Sequence, residues 1–256
     1  MSTLLIDIGN TRVKWAVLRG AKLSRMRALP HAGDSAALRK LVRAAPRGVD
    51  RVLAVCVAGV RLERALAAAV RQRFALPVQF VRSVRSAAGV RNGYRDIWRL
   101  GADRWVGVIA AHAIAGARAA LVVNVGTALT IDAVDAEGRH RGGAIAPGPS
   151  TMIASLLSGT QGIRRRAHGA TNGAVDAKNP RGLFAADTSR ALAAGASFAA
   201  AALVDRAARE GRAVLGRAPL LLLTGGAASA LVPYIKSPVR KLPDLVLRGL
   251  AVLARG

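Results

Sequence analysis

VVNVGTALTID, Val122–Asp132, sets a Gly126-Thr127 turn between an apolar run and an alternating one, and LLIDIGNTRVKWAV, Leu4–Val17, does much the same near the start of the chain. A short apolar run ending in glycine reads as a buried strand entering a tight turn, and the alternating run after it as a second strand. Aligning Asp7 with Asn124 brings Gly9 onto Gly126 and leaves Gly20 one place from Gly138. A device built twice points to a duplicated domain: two α/β halves, 1–117 and 118–256, each opening with a meander of strands.

Working outward, Val13–Leu18 is the second strand of the first meander and Lys22–Ala28 the third. Apolar spacing predicts helices at 34–45, 60–74 and 104–116, with strands at Val52–Val57 and Val78–Val84. After the second device, Ala136-Glu137-Gly138 turns into a third strand that stops before Gly142-Gly143. Helices are predicted at about 149–158 and 187–210, and Leu220–Leu223 is a late buried strand.

The 256 residues, 52% of them hydrophobic, can bury a substantial core. MSTLLIDIGN has no basic residue ahead of its apolar run and Asp7 interrupts that run, so no secretory signal is expected. No apolar run approaches the ~20 residues of a bilayer span. Cys56 is the only cysteine, which excludes an intrachain disulfide and CxxC chemistry. These features lead to the expectation of a cytoplasmic protein without a membrane partner. The charge is the unusual feature: 39 basic against 14 acidic residues, net +25, with arginine outnumbering lysine 33 to 6. The arginines are spread along the chain, Arg164–Arg166 being the densest run, and nine aromatics do not make an evident base-stacking platform. The expectation is a basic solvated surface that draws anions into any cleft it lines, without sequence-specific nucleic-acid binding.

Several short motifs carry chemistry. DIGNT, Asp7–Thr11, ends a buried strand with an acid, a glycine and two small polar residues. Such a turn can cradle phosphate on backbone N–H groups, Asp7 can hold Mg²⁺ through oxygen, and Arg12 or Lys14 can neutralise phosphate charge. An ordinary hairpin with a polar tip fits the same five residues. GTALTID, Gly126–Asp132, offers Thr127 and Thr130 as hydroxyl donors and Asp132 as a second acid for Mg²⁺; β propensity alone also accounts for its threonines. Opposed across a cleft, the two turns would grip both ends of a polyphosphate.

LTGGAA, Leu223–Ala228, is a strand–glycine–helix turn on which a ring or ribose can lie, or a plain connection. A P-loop is excluded, because GxxxxGK[ST] is absent. RNGYRDIWRLGADRW, Arg91–Trp105, gathers polar groups ahead of an apolar helix. Asp103 there is either an N-cap or a base for a substrate hydroxyl, Arg104 suits a carboxylate, and Tyr94 supplies a wall and a hydroxyl. GGAIAPG, Gly142–Gly148, needs glycine for close packing or ligand approach, or is only a rigid turn. His31, His112, His140 and His168 show no metal-ligand spacing and receive no role. Arg164–Lys178 carries no motif and reads as a loop.

Together these motifs resemble type III pantothenate kinase, the family that also includes the Bvg accessory factors. The matching order is DIGNT, then NGY and GADRW, GTAxTxD, GGxIxPG, and late LTGG followed by PDLVLRGL, across residues 4–252. DIGNT and LTGG are shared with sugar kinases, Hsp70 and actin; GADRW between NGY and GTA is more specific. The resemblance implies an actin-like ATPase fold with duplicated α/β domains around a nucleotide cleft. It also implies phosphorylation of pantothenate by ATP, the first committed step towards coenzyme A, in a homodimer.

Carried over by motif, Asp7, Ile8, Gly9, Asn10, Thr11, Arg12, Val13, Lys14 and Thr127 would bind ATP. Tyr94, Gly101, Ala102, Asp103, Arg104 and Thr188 would contact pantothenate, with Asp103 as proton acceptor. The departure is Asn124, where many members carry an aspartate that ligates K⁺ or NH₄⁺. Asparagine keeps a carbonyl oxygen and loses the charge, so weaker dependence on the ion is expected. Two other functions remain compatible with these residues: a regulatory protein on the same fold, and a kinase for another small hydroxylated acid.

Overall fold

Seven consecutive buried residues form β1 (Ser2–Ile8), and their alternation organises everything around it. In the computed structural model, which describes residues 1–167 and 182–256, Leu4, Ile6 and Ile8 enter one apolar layer and Leu5 enters another. A strand covered on both faces is a continuous apolar run, as the sequence shows. The first half continues through β2 (Arg12–Arg19), β3 (Lys22–Leu23), β4 (Arg27–Pro30), α1 (Ala36–Ala44) and β5 (Arg51–Cys56). It then runs through α2 (Val60–Phe74), β6 (Val78–Phe80), β7 (Ser86–Ala87), β8 (Val90–Arg91) and α3 (Ala102–Ala115).

The first sheet has the order β3-β2-β1-β5-β6, with β4 also on β2. β1 and β2 pair antiparallel through the short turn, whereas β1–β5 and β5–β6 are parallel. Parallel neighbours need crossovers, and α1 and α2 fall in the connections that supply them. The third strand of the meander is split in two. The Ser24 hydroxyl accepts from Val17 N at 2.9 Å and Ser24 N donates back to Val17 O at 2.9 Å. The serine thus takes over the ladder, which ends β3 and lets β4 restart three residues later.

The second half comprises β9 (Ala120–Val125), β10 (Ala128–Val134), β11 (His140–Pro147), α4 (Pro149–Gly159), α5 (Gln161–Arg166) and α6 (Thr188–Leu215). β12 (Leu220–Thr224), α7 (Ala228–Leu231), β13 (Val239–Lys241) and α8 (Leu245–Arg255) complete it. Its sheet, β11-β10-β9-β12-β13, repeats the first strand for strand: third, second, first, then the two crossover strands. The duplication inferred from two short turns therefore extends to complete sheets. β11 does not stop before Gly142-Gly143; Gly142 takes φ +96° inside the strand, a conformation that a side chain there would oppose.

Contacts divide the chain into two compact units. Unit 1 is Met1–Ala117 with Val134–Gly142 and Asp244–Gly256; unit 2 is Arg118–Ala133 with Gly143–Pro243. In unit 1, α1 and α2 cover the Leu4/Ile6/Ile8 face, while α3 and α8 cover the Leu5 face through Val106, Leu247 and Leu250. α3 and α8 cross so closely that a Cβ on Gly249 would overlap the Val106 carbonyl. Unit 2 packs Leu121, Val123 and Val125 of β9 against Ala200, Ala201 and Val204 of α6.

Among the described residues, α6 alone has the length and hydropathy of a bilayer-crossing helix. Arg190 and Asp205 limit its uncharged stretch to residues 191–204, short of a bilayer span in the sequence, and these core contacts account for its apolar face. Of the segment 164–178, residues 164–166 close α5, Ala167 is buried beside it, and 168–178 lie outside the described residues.

Candidate active site

Period-2 alternation fixes Asp7. Two residues beyond Leu5, it lies on the α3 side of the sheet, with Lys14 as its register partner on β2. Asp7 is 6% exposed, and burial pushes its carboxyl from 3.8 up to about 6; Lys14 pulls down against this, and the negative charge of Asp103 adds to it. Asp103 is not the N-cap of α3. Gly101 holds that position, its carbonyl accepting from Trp105 N at 2.9 Å. Asp103 stands in the first turn, where the helix dipole favours a carboxylate, and accepts from Arg104 N at 2.8 Å. Ala102 packs at the edge of the apolar layer.

The Gly9-Asn10-Thr11 turn is closed by Gly9 N donating to Arg12 O at 3.1 Å, leaving Asn10, Thr11 and Arg12 exposed. Ile8 and Val13 have fully buried side chains, so a ligand at the turn meets only their backbone. Beneath the turn lies His31, to which its sequence spacing gives no role. Its Nε2 is 2.6 Å from Gly9 O, its Nδ1 accepts from Gly33 N at 3.0 Å, and its backbone N donates to Thr11 O at 3.1 Å. No spacing rule could have found it: the contact closes a 22-residue loop through β4.

A second cluster in unit 1 surrounds Tyr94. Arg104 Nη1 donates to Tyr94 Oη at 3.0 Å, with its guanidinium 5.6 Å from the ring centroid. His140 stacks on the ring at 5.7 Å, and Tyr94 N donates to Asn92 Oδ1 at 3.0 Å. The structure thus joins NGY, GADRW and the start of β11 in one constellation.

Unit 2 repeats the polar edge. Leu121, Val123, Leu129, Ile131, Leu221 and Leu223 face its core, which leaves Asn124, Thr130, Asp132 and Thr224 on the opposite face of the sheet. Asn124 is in register with Thr224, and Asp132 is fully buried. The hydroxyls of Thr130 and Thr224 are buried without a hydrogen-bond partner. Gly126 N donates to Ala128 O at 3.0 Å, echoing Gly9. Thr127 O accepts from Gly148 N at 2.8 Å and from the Thr151 hydroxyl at 2.6 Å. A Cβ on Gly148 would overlap the Gly126 carbonyl, so close packing explains the last glycine of GGAIAPG. The helix after LTGG, α7, has only four residues and contributes little aligned dipole. Thr188 opens α6 after the Asp187 cap and lines an apolar groove of about 350 Å³ with Met152, Leu156 and Leu192.

The sequence model of the family described as type III pantothenate kinase matches residues 3–210. The chain belongs to the type III pantothenate kinase family. A member from Aromatoleum aromaticum is 41% identical over 98% of this chain and 97% of its own length. One from Burkholderia thailandensis is 38% identical over 98% and 97%. Among solved structures, MreB 5 of Spiroplasma citri bound to AMPPNP superposes with a TM-score of 0.52 at 11% identity, covering 99% of this chain and 96% of that one. A Campylobacter jejuni protein described as a Baf family transcriptional activator gives 0.58 at 20% identity, covering 98% and 97%. These likenesses establish the actin-like ATPase fold with duplicated α/β halves.

Within this type III pantothenate kinase family member, the structure brings Asp7, Lys14 and Asp103 into electrostatic reach in unit 1, and Tyr94 against Arg104. Thr127, Asn124, Asp132 and Thr188 belong to unit 2. His31 and His140 are the contributors that sequence reasoning missed. Among the described residues, no group of three metal-ligating side chains occurs, and Cys56 is packed in the core, where burial pushes its thiol up.

Proposed function

We propose that this chain transfers the γ-phosphoryl group of ATP to the 4′-hydroxyl of pantothenate, giving ADP and 4′-phosphopantothenate at the entry to coenzyme A synthesis. The observation that carries the reading is the pairing of a whole-length family match with Asp7 and Asp103 in electrostatic reach of one another.

In this reading the backbone of Asp7–Lys14, with the Arg12 and Lys14 side chains and the Thr127 turn, holds the ATP phosphates. Tyr94, Gly101, Ala102, Arg104 and Thr188 hold pantothenate, the Arg104 guanidinium meeting its carboxylate. Asp103 orients the hydroxyl and accepts its proton as the oxygen bonds to the γ-phosphorus. The bond from that phosphorus to the β-γ bridging oxygen breaks, and ADP leaves with the electron pair. Such transition states need positioning more than covalent help, which a first-turn carboxylate provides.

A divalent cation fits Asp7. A buried carboxylate raised to about 6, with a second carboxylate adding to the shift, gains its charge back beside Mg²⁺. Bound there, Mg²⁺ would neutralise charge on the phosphates. Asp132, fully buried at the unit 2 edge, is the second candidate ligand. Asn124 offers K⁺ or NH₄⁺ only a neutral oxygen, and we assign the chain a weakened dependence on either ion. The reading also includes a division of the two halves at 117/118, a homodimer, a cytoplasmic location and no sequence-specific nucleic-acid binding.

The test is ADP release by purified protein with ATP and Mg²⁺, with and without pantothenate, in sodium, potassium and ammonium buffers. Pantothenate-dependent release is expected in all three. ATP binding without release in any buffer would overturn the kinase reading and favour another acceptor or a regulatory role.

A further inference from the structure

We infer that His31 is a positioning residue for the ATP phosphates, acting by fixing the direction of one peptide group in the Gly9-Asn10-Thr11 turn. The inference rests on the reading of that turn as the phosphate site.

His31 is 4% exposed, so its ring stays in place. Nδ1 receives the Gly33 N–H at 3.0 Å and must therefore be the bare nitrogen. The proton is then on Nε2, which donates to Gly9 O at 2.6 Å. A peptide group is planar and trans, so its C=O and N–H point in opposite directions. Pinning the Gly9 carbonyl inward aims the Asn10 N–H away from His31, towards the exposed side of the turn. The backbone N–H of His31 draws the Thr11 carbonyl inward in the same way, at 3.1 Å.

The electrostatic consequence follows directly. A cradle for an anion needs N–H groups facing it and carbonyl oxygens facing away. Glycine adopts either hand of backbone readily, so the Gly9–Asn10 peptide is the part of this turn most free to flip. A flip would exchange a donor for a carbonyl dipole directed at the phosphates. The Nε2–H bond opposes that flip. In unit 2 the turn carbonyl of Thr127 accepts from Gly148 N and from the Thr151 hydroxyl, so each turn has a carbonyl held by residues outside it.

Two near-isosteric variants separate the roles of the ring nitrogens. His31→Gln places an amide N–H where Nε2–H stands and keeps the bond to Gly9 O. His31→Asn places an oxygen where Nδ1 stands and keeps the bond from Gly33 N while losing the one to Gly9. Measured on the full chain, His31→Asn should raise both KM for ATP and Kd for Mg·ADP by about tenfold, as for a lost hydrogen bond to a charged group. KM for pantothenate should stay within about twofold. His31→Gln should recover most of the ATP affinity at a melting temperature no higher than that of His31→Asn. Equal ATP affinity in both variants and wild type would overturn the role of His31. So would losses in both that follow melting temperature or fall equally on pantothenate. Wild-type protein that fails to bind Mg·ADP would instead overturn the phosphate reading of the turn, and the inference with it.

Discussion

Asp7→Asn should make the nucleotide-free protein more stable, because the ionised carboxylate is held where folding disfavours its charge. Desolvation by burial, partly offset by Lys14 and reinforced by Asp103, raises the group from 3.8 to about 6. A shift of this size corresponds to about 3 kcal/mol at pH 7.5, where both folded and unfolded chains are ionised. The sign follows from proton counting. Between the unfolded value and about 6 the folded chain binds the extra proton, so stability falls as pH rises through that window and is lowest above it. Asparagine mimics the protonated form at every pH. The advantage of Asp7→Asn should therefore be about 3 kcal/mol at pH 7.5, roughly half that at pH 5, and small near pH 4. Urea titrations of both proteins at the three pH values, without nucleotide and with a chelator present, measure it. Added Mg²⁺ should raise the melting temperature of wild type and leave Asp7→Asn unmoved. A variant less stable than wild type at pH 7.5, or a difference that does not change with pH, would refute the argument.

The same carboxylate predicts proton–metal competition: the Mg²⁺ concentration for half-maximal ADP release should rise as pH falls below about 6, measured by steady-state titration at fixed ATP. Asp103→Asn should lower kcat for pantothenate phosphorylation by roughly 10²–10⁴. Calorimetry with Mg·ADP should give an affinity within about twofold of wild type, which separates loss of the proton acceptor from loss of the nucleotide site. Asn124→Asp should show stronger K⁺ or NH₄⁺ stimulation than wild type, and equal stimulation of the two proteins would sink the role given to this position.

What the sequence shows and what it hides divide along physical lines. β1, β2, β9 and β10 were legible because fully covered strands and tight glycine turns leave local signatures, and two copies reinforced each other. Asp7 was legible as the single acid in an apolar run, and its face follows from counting to two from Leu5. α8 is not legible from the LVLRGL segment alone, because eleven residues after a proline carry too short a pattern without a partner helix in view. The split at Ser24 depends on a side chain entering the ladder, which propensity does not describe. His31 and His140 act through neighbours 22 and 46 residues away, His140 reaching Tyr94, and only folding reveals such pairs. Asp103 looked equally like a cap and a base, and only the position of Gly101 at the cap decided the local geometry.

The crossing of α8 on α3, with Gly249 against the Val106 carbonyl, sets an order on how the protein can be made. Leu5, Leu53 and Val55 belong to strands that leave the ribosome early, yet the layer that covers them is completed by Leu247 and Leu250. Unit 1 therefore lacks the α8 part of the cover over one sheet face, α3 supplying the rest, while more than a hundred intervening residues are translated. Unit 2 has no such dependence on the last helix. Vectorial synthesis ordinarily lets an N-terminal domain close first; here the later-made unit can close before the earlier one. In the interval the nascent chain exposes the apolar surface that Leu247 and Leu250 later cover, a natural resting place for a chaperone.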